Sequence, residues 1–157
     1  MKDRTSTQRE LMWSLALLLF VASPAHGRGQ PQEPPFRYAG GTEKVEQGCA
    51  GNLEVTSQAL IFKCPTGSLN MPFAAISLMQ YRRDISRPVR KLKVKWKVKP
   101  VPGGGKRNRY FTIVYKDQET THVVVLKVAP LSMRPYLAEI ELKSGKRVEV
   151  MGYEEYQ

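Results

Sequence analysis

The nine residues Lys91 to Lys99 read Lys-Leu-Lys-Val-Lys-Trp-Lys-Val-Lys, and this strict alternation constrains the chain more than any other feature. Successive side chains of an extended segment point to opposite faces. Lys91, Lys93, Lys95, Lys97 and Lys99 therefore share one surface, and Leu92, Val94, Trp96 and Val98 share the other. A helix would scatter the lysines around its circumference. The period of two predicts a half-buried β-strand whose apolar face the rest of the chain must cover.

At the N-terminus, Lys2, Arg4 and Arg9 precede an apolar run from Leu11 to Ala22, followed by Ser-Pro-Ala-His-Gly. This is the pattern of a secretory signal peptide, residues 1–27, cleaved after Gly27 or, as an alternative, after Ala25. A spanning helix needs about 20 apolar residues, so the run is too short for one and no transmembrane span is expected after cleavage. The protein is expected to be exported, periplasmic or secreted. Residues 28–35 read as a proline-rich linker, 36–150 as one domain, and 151–157 as an acidic, frayed tail.

Removing residues 1–27 takes three basic and two acidic side chains from the chain's 25 and 14, leaving a formal charge of +10. The stretch from Arg82 to Arg109 holds twelve basic residues against Asp84 alone. The remainder is therefore about neutral, and the basicity is a local surface rather than a general property.

Cys49 and Cys64 are the only two cysteines. An exported pair tends to be joined, and the intervening sequence fits a hairpin: Leu53 to Thr56, a turn at Ser57-Gln58, and a return from Ala59 to Lys63. That hairpin sets the cysteines nearly opposite each other, and closing a loop of this size is worth about 3 kcal/mol. A redox-active pair usually has CxxC spacing, which is absent.

Further strands are expected at Phe36–Thr42 and at Leu69–Tyr81, broken at Pro72. In the latter, Ile76, Leu78 and Gln80 oppose Ser77, Met79 and Tyr81. Arg83 to Arg90 reads as a basic loop, and Pro100 to Asn108 as a hairpin loop leading into a strand from Arg109 to Lys116. Keeping apolar faces together sets Val98 opposite Phe111, Trp96 opposite Ile113 and Val94 opposite Tyr115. The lysines then face Tyr110, Thr112, Val114 and Lys116, with no carboxylate on that strand.

Thr121 to Val128 is nearly continuous in β-branched residues and is expected to be buried on both faces. A helix follows to about Ser144, with Ser132 as N-cap, Pro135 in its first turn, and Met133, Tyr136, Leu137 and Ile140 on one face. Lys146 to Val150 closes the domain as a last strand. The fold class is mainly β: a strongly bent antiparallel sheet or partly open barrel capped by a C-terminal α-helix.

Gly51-Asn-Leu-Glu-Val-Thr-Ser-Gln-Ala-Leu-Ile-Phe, followed by Leu69-Asn-Met-Pro-Phe-Ala-Ala-Ile-Ser-Leu-Met, resembles the start of bacterial pleckstrin-homology-like and GRAM-like domains. The similarity runs through the later strands to the helix. What the resemblance implies is a fold and no reaction, and many such domains are functionally uncharacterised.

His122, the only histidine after residue 27, lies in an apolar strand, which points to a structural role. HExxH, CxxC and Gly-x-Ser-x-Gly patterns are absent. Gly103-Gly104-Gly105-Lys106 lacks the spacing and the Ser/Thr of a phosphate loop and precedes a strand. Glu139 and Glu141 have no identifiable acid or histidine partner. No enzyme activity, cofactor or metal is expected.

The candidate anion-binding residues are Lys91, Lys93, Lys95, Lys97, Lys99, Lys106, Arg107 and Arg109. Anionic lipid headgroups, acidic polysaccharide or the acidic face of an envelope protein would suit them, with Tyr110 as an anchor for a protein partner. Nucleic acid is disfavoured by the compartment and by the lack of a second aromatic for stacking. The alternative is a protein-interaction or structural domain whose lysines are only solvated, as on edge strands that resist aggregation.

Overall fold

Apolar residues at every second position, punctuated by turn residues, fold this chain into strands. The computed structural model describes residues 33–100 and 109–151. The expected signal peptide, most of the expected linker, the expected loop with Lys106 and Arg107, and residues 152–157 lie outside the described residues. The strands are β1 Phe36–Gly41, β2 Ala50–Val55, β3 Ala59–Cys64, β4 Gly67–Pro72, β5 Ile76–Arg82, β6 Arg109–Asp117, β7 Thr120–Val128 and β8 Glu149–Val150. A 3-10 turn, Phe73–Ala75, joins β4 to β5, and two helices, α1 Arg87–Arg90 and α2 Pro130–Ser144, complete the described elements. The sheet runs β4-β3-β2-β1-β7-β6-β5-β8. It is bent and unclosed and is followed by the C-terminal helix α2, as expected for a strongly bent sheet or partly open barrel capped by a helix.

The β2–β3 hairpin follows the sequence closely, with Leu53 opposite Phe62 and Val55 opposite Leu60. Thr56 ties the turn: its Oγ1 accepts from the amides of Gln58 at 3.2 Å and Ala59 at 2.9 Å. Thr56→Ala is expected to cost about 1 kcal/mol in urea unfolding, because it strips acceptors from these two amides. Cys49 and Cys64 form the disulfide, with Cα atoms 6.0 Å apart. Gly51 makes room for it, since a Cβ there would collide with the Lys63 carbonyl and the Cβ of Cys64.

β7 is buried on both faces, and its alternation divides the core in two. Val124, Leu126 and Val128 join the larger cluster, shared with Phe111, Ile113 and Tyr115 of β6 and with Met133 and Ile140 of α2. Val123 and Val125 point the opposite way, into a second cluster with Tyr110, Val114, Ile85 and Val89. Two different coverings are therefore needed, and α2 supplies only the first.

In α2, Met133 and Ile140 are fully buried, and Tyr136 meets Phe36 edge-on at 4.9 Å. The helix starts earlier than the expected Ser132 cap. Ala129 is the N-cap without a side-chain bond, and Pro130 occupies the first turn, where a missing N–H costs nothing. Gly145 ends the helix in the left-handed region, φ 64°.

Three local expectations are corrected. Arg83 to Arg90 is not all loop, because Arg87–Arg90 forms α1. In β5, an irregularity between Ile76 and Leu78 shifts the register, so Ile76, Met79 and Tyr81 share the larger cluster while Leu78 turns to the other. The last strand is only Glu149–Val150, and it pairs parallel to β5.

Candidate functional site

The lysine segment is not a strand of the sheet. Both edges of β6 are already taken, by β5 and by β7, so no ladder is open to it, and the expected pairing of Val98, Trp96 and Val94 with Phe111, Ile113 and Tyr115 does not form. Residues 91–99 instead form a strap leading away from α1. It touches the sheet's backbone at one bridge, between Val98 and Gly41. Gly41 donates to the Val98 carbonyl at 2.9 Å, and the Gly41 carbonyl accepts from Lys97 and Val98 at 3.0 and 3.1 Å.

The alternation nevertheless holds along the strap: every lysine from Lys91 to Lys99 is exposed, and every residue between them is half-buried. Leu92, Val94 and Trp96 pack onto the second cluster, over Tyr110, Val114, Val123 and Val125. The side of β6 expected to face the lysines thus lies under the strap's apolar side. Tyr110 is only 5% exposed, which removes it as an anchor for a protein partner. Burial pushes its phenol pKa up from the ordinary value.

Within the strap, the Val94 amide donates to the Leu92 carbonyl at 2.9 Å and the Trp96 amide to the Val94 carbonyl at 3.1 Å. These are successive three-residue turns centred on Lys93 and Lys95. They satisfy amides of the inward residues locally and shorten the segment relative to a strand. The N–H and C=O groups of Lys93 and Lys95 have no protein partner among the described residues. No carboxylate among the described residues pairs with any of the five lysines. Exposed Arg87 and Arg90 extend the row through α1.

Arg109 leaves the candidate group. It is 1% exposed, donates to the Met151 carbonyl at 2.8 Å, and sits 6.0 Å from the Tyr81 ring centroid. Its role is to hold the end of β6 to the segment after β8.

A second polar cluster is marked by no pattern in the sequence. Glu43, in the turn after β1, gathers three donors on one carboxylate oxygen: Thr42 Oγ1 at 3.1 Å, Tyr115 OH at 3.0 Å and His122 Nδ1 at 2.7 Å. The His122 ring stacks on Tyr115 with centroids 4.9 Å apart, and Tyr38 OH donates to the Glu43 carbonyl at 3.3 Å. Burial, reinforced by the Glu43 charge, pushes the Tyr38 phenol up to about 12 and raises the Tyr115 phenol as well. His122 is oriented by a carboxylate, but no serine, threonine or cysteine among the described residues bonds to it, so the cluster acts as a clasp between β1 and β7.

No protein-family model matches this sequence, and no curated protein does either.

Proposed function

We propose that this is an exported, non-catalytic binding module of the cell envelope, whose lysine strap docks on an anionic surface or ligand. The carrying observation is the row of five exposed lysines without carboxylate partners among the described residues, held in line because the opposite side of the strap is committed to the sheet. Lysines less than about 7 Å apart lie within one screening length of each other and repel, and a bound polyanion relieves that repulsion. Export is supported by the basic and apolar pattern of residues 1–27 and by the Cys49–Cys64 disulfide. Protection of a sheet edge does not account for the lysines, because the strap is not an edge strand.

Binding of the protein to an anionic polymer is expected to weaken steeply between low and physiological salt. Changing Lys93, Lys95 and Lys97 together to Gln should abolish most of it, as read by isothermal titration. A flat salt dependence, or full binding by the triple variant, would assign the lysines to solvation alone.

A further inference from the structure

We infer that the ligand of the strap is a linear acidic polysaccharide, a chain of sugar acids lying along Lys91 to Lys99. This inference rests on the reading of the strap as an anion-binding surface. The lysines form a single file, and the file suits a polymer with one charge per repeat better than a planar surface, which would be met by a patch. The apolar side chains between the lysines turn inward onto the sheet. The large exposed hydrophobics among the described residues, Leu131, Leu142 and Met151, lie on α2 and after β8. Since α2 covers the larger cluster and the strap covers the opposite face, a bilayer held against the lysines is not also anchored by the helix leucines.

The backbone narrows the class further. The local turns that close on Leu92, Val94 and Trp96 leave the N–H and C=O of Lys93 and Lys95 without a protein partner among the described residues. The same stretch therefore offers cations, neutral donors and neutral acceptors. A polyuronate carries the counterpart of each: a carboxylate on every sugar, and hydroxyls that both accept and donate. A polyanion without hydroxyls can use the cations and the donors, but it leaves the carbonyls to water. Single-stranded nucleic acid would need a stacking surface, and both Trp96 and Tyr110 are engaged beneath the strap.

The test is titration of the protein, in salt of physiological strength, with polygalacturonate, with oligogalacturonates of increasing length, with polyacrylate as a carboxylate chain without hydroxyls or amides, and with vesicles containing phosphatidylglycerol. Polygalacturonate should bind more tightly than polyacrylate of equal charge. Affinity for the oligomers should rise with length and level off once they span the strap. The K93Q/K95Q/K97Q variant should lose about tenfold or more, with Trp96 fluorescence unchanged to show that the strap stays docked. Equal or tighter binding of polyacrylate, absence of a length plateau, or binding to vesicles alone would overturn the polysaccharide assignment while leaving the anion-binding reading in place. Binding to none of these probes would overturn both.

Discussion

Replacing Gly40 by alanine is expected to lift the strap from the sheet and to weaken anion binding without touching a single lysine. A Cβ at this position would lie 2.7 Å from the Val98 carbonyl oxygen and 2.8 Å from the nitrogen of Pro100, both backbone atoms that cannot rotate away. Gly40 itself is fixed in the β1–β7 ladder opposite Val125, so the strap is the part that must move. Its displacement uncovers part of the second cluster, where Trp96 packs with Tyr110 and Val123. The loss of stability should be about 2 kcal/mol by urea denaturation. Trp96 is the only tryptophan after residue 27, so its emission reports the event directly, shifting to the red as the ring meets water. Anion affinity should fall with it, because undocked lysines are no longer held in file. Lys93→Gln provides the contrast: weaker binding with unaltered emission and stability. Wild-type emission and stability in Gly40→Ala would show that the strap does not close on β1 at this glycine.

The same glycine illustrates what was legible in the sequence. Gly40-Gly41 reads as a weakness in the first strand, whereas its physical role is to let a second backbone approach. Alternation at residues 91–99 correctly reports one buried and one exposed side, but it carries no information about hydrogen-bonded neighbours. An extended segment lying on a sheet face and one paired at its edge give the same pattern. The partner strand that apolar matching favours, β6, has both of its edges filled by β5 and β7. The hairpin and its disulfide were readable because their determinants are local: matched apolar positions, a Thr-led turn and two cysteines. So were the two-sided burial of β7 and the inward set of α2. The β5 irregularity was hidden because one extra residue inverts every later facing assignment. Arg109 was hidden because a buried arginine and an exposed one look alike in a basic run. The Glu43 clasp joins residues 79 positions apart, Glu43 and His122, and no periodicity marks a long-range polar contact.

That clasp carries the last expectation, a decline in stability at alkaline pH. Burial first, and the Glu43 charge second, raise the Tyr115 phenol above its ordinary value, and burial chiefly raises that of Tyr38 to about 12. Tyr110 is raised by burial alone. Below about pH 10 these phenols are protonated in both the folded and the unfolded chain, and their contribution is fully present. As pH rises from about 10, the unfolded chain releases protons that the folded chain retains. The unfolding free energy therefore falls, and the decline continues through about pH 12, where Tyr38 ionises in the folded state. Tyrosinate absorbance should show Tyr38, Tyr110 and Tyr115 titrating above the ordinary tyrosine range, with their ionisation accompanying unfolding. Glu43→Gln removes the nearby negative charge and should move the Tyr115 step to lower pH. Tyr115→Phe keeps the ring that stacks on His122 but deletes the hydroxyl bond to Glu43. It should cost about 1 kcal/mol at neutral pH and make the alkaline decline shallower, since one retained proton is gone. Titration of Tyr38 and Tyr115 near pH 10, with stability unchanged across that range, would mean that Glu43 does not gather these groups.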